Sequence, residues 1–167
     1  SPTAYNDPVG YCTIGYGHLI ALDTCSRVDL ADFNGSLTIE DGTDLLLSDT
    51  IFARQAVSDL VDVELNDAQF SALSSFVFNV GATNFAKSTM LRLLNEGNYL
   101  GAVEEFPRWV RARNQILPGL QIRRACEASH FMGALELRAD GTFGREGCTE
   151  LNIASSKGSE ISIEDGE

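Results

Sequence analysis

Asp7, Thr13 and His18 fall within the stretch "AYNDPVGYCTIGYGH", residues 4–18, which also holds Gly10, Gly15 and Gly17. A carboxylate, a hydroxyl and an imidazole so close together could move a proton or orient a water. Each also has an ordinary reading. An Asp before a Pro starts a turn, a Thr suits a strand by its shape, and a lone His is commonly a hydrogen-bonded structural group. Glycine permits tight backbone and close approach of a ligand. These residues carry chemistry only if other parts of the chain supply the rest of a site.

Elements to position them can be read from the pattern. Residues 10–37 alternate Gly, Asp, Asn and β-branched residues without a helical period, which predicts a small antiparallel sheet beginning at "YCTIGYGHLIAL". Thr38 followed by Glu40 and Asp41 predicts a helix N-terminus. Leu45, Leu46, Phe52, Ala53, Ala56, Val57 and Leu60 then share one helical face, interrupted by Asp49. Asn66 or Asp67 caps a second helix through Phe70, Leu73, Phe76 and Val77, and Gly81 ends it. Ser88 opens a third segment stopped by Gly97, a short helix follows over about 98–105, and Pro107 breaks it or begins another. "PGLQIRRACEASHFM" predicts a last helix over about 119–132. Beyond Gly133 the period fades, and eight acids against three bases predict a loosely packed, partly extended acidic tail over 133–167. The expected organisation is α+β, with one domain over 1–132 and that tail.

Bulk properties exclude several function classes. With 12 basic and 24 acidic residues the net charge is -12, which argues against nucleic acid, whose binding needs Lys and Arg on phosphates. It also argues against simple electrostatic attraction to an anionic membrane or cell wall. No apolar run is long enough to span a bilayer. "SPTAYNDP" lacks a signal-peptide pattern, so an export signal is expected to lie upstream or to have been removed. Cys12, Cys25, Cys126 and Cys148 form no CxxC pair, so neither zinc spacing nor a redox motif is present, and no metal or cofactor is expected. Two disulfides would suit an exported protein, with three pairings formally open. Cys12 with Cys25 would close a short loop and Cys126 with Cys148 would tie the tail to the body; free buried thiols are the alternative.

Taken together, "YNDPVGYCTIGYGH", "FVFNVGATNFAKSTMLRLLNEG", "RW" and "LPGLQIRRACE" occur in that order from about residue 4 to 132. This succession resembles the phage-type lysozymes, the endolysin family of glycoside hydrolases. The resemblance implies a lysozyme-like α+β fold, a small antiparallel β lobe and a larger helical lobe with a cleft between them. It implies peptidoglycan as substrate and cleavage of the β-1,4 bond between N-acetylmuramic acid and N-acetylglucosamine.

The family's catalytic pattern is a Glu, eight residues, an Asp, five residues and a Thr. Asp7 and Thr13 match the second and third members, Asp7 as base or as stabiliser of positive charge developing on the sugar and Thr13 as water-positioning hydroxyl. The first would stand nine positions before Asp7, upstream of Ser1. Glu40, Glu64, Glu104, Glu105 and Glu127 occupy helical or turn contexts and are expected to be solvated or structural. Two readings follow: a chain whose N-terminal segment with the Glu precedes Ser1, or a non-catalytic lysozyme-like module binding wall glycan or a protein partner, the acidic tail serving as a docking element. The resemblance further implies that Gly15, Tyr16 and Gly17 shape the cleft and that Asn79 meets an N-acetyl group, a helix-terminal polar role being the alternative. His18 is expected to brace Asp49 within hydrogen-bond reach, and Arg123 to lie beside the catalytic acid. Phe76, Phe78 and Val80 are expected in the core, as is Trp109 in preference to a sugar platform. The expected location is exported, periplasmic, extracellular or phage-associated.

Overall fold

Residues 1–8, 10–33, 35–113, 115–135, 139, 145–148 and 158–167 are described by a computed structural model, without the side chains of Arg145 and Glu146. The chain forms two compact units, Ser1–Ile51 and Phe52–Glu167.

In the first unit, β1 (Tyr5–Asn6), β2 (Cys12–Ile14) and β3 (His18–Ala21) make an antiparallel sheet in that order. The middle strand is buried throughout: Cys12 and Ile14 are fully enclosed and Thr13 is 4% exposed. The turn from β2 to β3 uses Gly15 at φ 65° and Gly17 at φ 111°, backbone that a side chain would strain. A 3-10 turn at Cys25–Arg27 follows, bonded through the Cys12–Cys25 disulfide. Helix α1 (Ile39–Leu60) opens at Thr38, whose Oγ1 accepts from Asp41 N–H at 3.0 Å while donating to Asp41 Oδ2 at 2.7 Å. Those bonds to the charged form hold the Asp41 carboxyl below its usual pKa.

The second unit is helical. Helix α2 (Asp67–Val80) starts at Asn66, which accepts from Gln69 N–H while Gln69 accepts from Asn66 N–H, both at 2.8–2.9 Å. Gly81, at φ 89°, ends it. Helices α3 (Ala82–Lys87), α4 (Thr89–Asn95) and α5 (Tyr99–Val103) are short, α4 and α5 being capped by Ser88 and Asn98 side chains. A 3-10 turn at Phe106–Arg108 contains Pro107. A two-stranded hairpin, β4 (Arg111–Ala112) with β5 (Gln115–Ile116), leads into α6 (Pro118–Phe131), where Pro118 occupies the first helical turn.

The core of this unit centres on Phe76, whose ring meets Phe85, Phe106 and Trp109 edge-on at centroid distances of 6.3, 5.3 and 5.6 Å. Such pairs contribute about 0.5–1.5 kcal/mol beyond their buried area. Trp109 is fully buried, as the core reading required, and Val80 is 4% exposed, whereas Phe78 is only partly buried.

Two expectations are corrected. Phe52, assigned to the core face of α1, is 79% exposed. The buried stripe there is set by Ala53 and Val57 with Ala56 and Leu60 at its side, and at 100° per residue Phe52 lies about 90° from its centre. The tail over 133–167 is not loosely packed at its end. Ile161 is 5% exposed within the core and Ile163 packs beside it. Ile161 N–H donates to Arg108 C=O (2.6 Å), Arg111 N–H to Ile161 C=O (3.3 Å) and Ile163 N–H to Arg111 C=O (3.0 Å). Asn84 Nδ2 donates to Ile163 C=O at 2.7 Å, Arg108 Nη1 pairs with Glu167 at 2.8 Å, and Glu167 accepts from Thr89 N–H. The Cys126–Cys148 disulfide joins α6 to a 3-10 turn at Arg145–Cys148. Glu136, Arg138, Asp140, Glu150 and Lys157, counted among the tail's charges, lie outside the described residues.

Candidate active site

The first unit holds Asp7 and Thr13 in one arrangement. The sheet register sets Tyr5 opposite Thr13 and Asn6 opposite Cys12, so Asp7 follows directly on the strand beside Thr13. Both side chains bond to the main chain of Tyr11. Tyr11 N–H donates to Asp7 Oδ1 at 2.8 Å, and Thr13 Oγ1 donates to Tyr11 C=O at 3.3 Å. Main-chain bonds between Asp7 and Tyr11 (2.9 Å) and Gly10 and Asp7 (2.8 Å) close the intervening loop. A carboxylate and a hydroxyl are thus fixed to the same residue.

Tyr16, 59% exposed, stands at the tip of the β2–β3 turn, and its ring lies 3.3 Å from where a Cβ on Gly42 would be. Gly42 therefore lets the ring rest on the start of α1. His18 Nδ1 is 2.8 Å from Asp49 Oδ2, tying β3 to α1, and the His18 ring lies 5.9 Å from that of Phe33. With one ring nitrogen engaged by a carboxylate, His18 is held as a brace.

The second unit contains Asn79 and Arg123. Asn79 is the penultimate residue of α2, partly buried, and its buried Oδ1 has no hydrogen-bond partner among the described residues. Arg123 on α6 donates from Nε to Glu127 at 3.1 Å and from Nη2 to Ser75 C=O at 3.2 Å, with its guanidinium 5.9 Å from the Phe78 ring centre. Its acid partner here is Glu127, on its own helix.

That pairing belongs to a cluster that residue-by-residue reading missed. Glu127 is 4% exposed, accepts from Ser75 Oγ at 2.7 Å and from Arg124 Nη2 at 3.1 Å, and makes a further 2.8 Å ion contact with Arg124 Nε. Arg124 is fully buried, lies 5.0 Å from the Phe76 ring centre and reaches Trp109 C=O at 3.5 Å. Burial lowers the Arg124 pKa, and Glu127 opposes that shift. The available signal was the Arg-Arg-x-x-Glu spacing, which puts both cations one helical turn before the acid. Glu105 is likewise buried, at 5% exposure, and pairs with Arg108 at 2.5 Å. Glu105 and Glu127 are therefore structural, and the solvated alternative does not hold for them.

No group of three or more His, Cys, Asp or Glu among the described residues is arranged to hold a metal ion. No helix among them is long and apolar enough to cross a membrane.

The family model described as phage lysozyme matches residues 1–127. The chain belongs to the phage lysozyme family. It is 40% identical over 109 residues to the endolysin of Salmonella phage P22, spanning 65% of this chain and 72% of that protein. It is 35% identical to the SAR-endolysin of Escherichia phage Mu, spanning 80% of this chain and 74% of that one. Among solved structures, the muramidase domain of SpmX from Asticaccaulis excentricus is 34% identical, covers 78% of this chain and 86% of its own, and superposes with a TM-score of 0.64. The fold is lysozyme-like α+β, and the function of this phage lysozyme relative is peptidoglycan hydrolysis. The reading as a non-catalytic binding module is not favoured.

Proposed function

We propose that Asp7 and Thr13 are the water-activating half of a muramidase site that cleaves the β-1,4 bond between N-acetylmuramic acid and N-acetylglucosamine. The observation that carries this reading is their shared anchorage on Tyr11. Thr13 spends its hydroxyl hydrogen on Tyr11 C=O, so its oxygen lone pairs remain to accept a hydrogen from water. Asp7, pinned by Tyr11 N–H, takes the other proton as the water oxygen bonds to the anomeric carbon. The glycosidic C–O bond breaks, and the leaving oxygen takes a proton from a carboxylic acid on the opposite face. In this reading that acid stands nine positions before Asp7, a position outside residues 1–167.

Tyr16 on its glycine-flanked turn and Asn79 Oδ1, unpaired among the described residues, are the proposed sugar contacts, each within its own unit. Endolysin relatives and two disulfides support action outside the reducing cytoplasm. A docking role for the acidic tail has less support, since Glu164 and Glu167 bind the chain itself.

The test is hydrolysis of purified peptidoglycan by the gene product that includes the upstream acid. Asp7→Asn is expected to lower kcat by about 10²–10⁴-fold, and Thr13→Val to lower it in the same direction. Wild-type turnover by Asp7→Asn would refute the assignment.

A further inference from the structure

The hairpin carrying Asp7 and Thr13 is gripped by the residues directly before them. Asn6 precedes Asp7, and its Oδ1 accepts from Cys25 N–H at 2.8 Å. Cys12 precedes Thr13, and its sulfur is bonded to Cys25. Asn6 and Cys12 face each other across the β1–β2 ladder. Both strands thus converge on Cys25, and Cys12 N–H adds a 2.8 Å bond to Asp23 C=O.

The grip acts beside an irregularity in the sheet. Cys12 is opposite Ala21 but Thr13 is opposite Leu19, so the β2–β3 register breaks between these two residues. The residue skipped there is Ile20 on β3, while β2 stays in register with β1, so side-chain alternation along β2 holds. Successive strand residues point to opposite faces, so holding Cys12 from one face aims Thr13 at the other.

We propose that Asn6, Cys12 and Cys25 form a staple whose task is to position Asp7 and Thr13 for attack on the glycosidic bond. They are positioning residues, and the proposal rests on the reading of Asp7 and Thr13 given above. The chain supplies its own comparison, because the Cys126–Cys148 disulfide lies wholly in the second unit and grips neither residue.

The experiment compares Cys12→Ala/Cys25→Ala with Cys126→Ala/Cys148→Ala in the gene product that includes the upstream acid. Kinetics on soluble glycan fragments are taken well below each variant's melting temperature. Both pairs are expected to lower that temperature. The first is expected to lose about 10- to 100-fold in kcat with KM little changed, while the second keeps wild-type kcat. Asn6→Ala, which leaves both disulfides intact, is expected to show a smaller loss of the same kind and serves if the first pair does not fold. Wild-type kcat in Cys12→Ala/Cys25→Ala, or in Asn6→Ala where that pair is not recovered folded, overturns the staple. So does an equal loss in the two cysteine pairs. Asp7→Asn runs alongside. If it is inactive while the staple variants are normal, only the staple fails; if it is fully active, the site assignment and the staple fall together.

Discussion

Replacing Glu127 by Gln keeps the shape of the side chain and removes its charge, leaving the fully buried Arg124 guanidinium without its carboxylate. Arg123 contributes less to the cost, because its side chain is 36% exposed and water can screen it. Arg124 cannot escape in the same way, being enclosed by Phe76 and the Trp109 main chain. Removing one partner of a buried ion pair costs about 3–5 kcal/mol. At about 2–4 °C per kcal/mol for a chain of this size, the melting temperature should fall by roughly 6–20 °C. The assay is thermal and urea unfolding followed by far-ultraviolet circular dichroism. The double variant Arg124→Met/Glu127→Leu should recover most of the loss, since well-packed apolar groups commonly replace a buried pair at little cost. A Glu127→Gln protein within about 1 kcal/mol of wild type would refute the view that Arg124 depends on this acid.

Two further outcomes follow from the second unit. Ile161→Ala should destabilise the protein by about 2–5 kcal/mol, because the side chain is 5% exposed in the main core; unfolding in urea measures it. Burial holds His130 below its ordinary pKa of 6.5, so folding favours its neutral form. Its contribution is fully present above about pH 6.5 and is lost as pH falls through the lowered folded value. Melting temperatures across this range should decline towards acid, and His130→Gln should flatten that part of the decline.

Where sequence reading succeeded, the signal was local and chemical. Asn66, Gly81 and Ser88 each mark a helix end by a hydrogen bond or a backbone angle the residue type favours. Pro118 opens α6 within one residue of the expected boundary. His18 and Asp49 were placed together by resemblance, since neither periodicity nor charge links residues 31 positions apart. The misses were tertiary. Phe52 has the right residue type for a core, but helical spacing alone does not say which flank of a broad apolar stripe is covered. The β4–β5 hairpin has two-residue strands, too short for alternation to register. Ile161 and Ile163 sit among acids and serines, so composition hid two residues that pack against the main core. Of the proposed site, the Asp7–Thr13 spacing was legible; their common attachment to Tyr11 is a property of the folded loop.

The docked segment 158–167 bears on where such a protein can be cut and joined. The family match stops at 127, yet Cys148 and Ile161 lie beyond it and complete the disulfide and the core. A graft that exchanged lysozyme cassettes at the edge of the match would carry away an aliphatic plug and leave its socket wet. The Arg108 carbonyl and the Arg111 amide would lose the main chain of Ile161 as their partner in the same operation. For this chain the border recognised by kinship is narrower than the border of what must fold together.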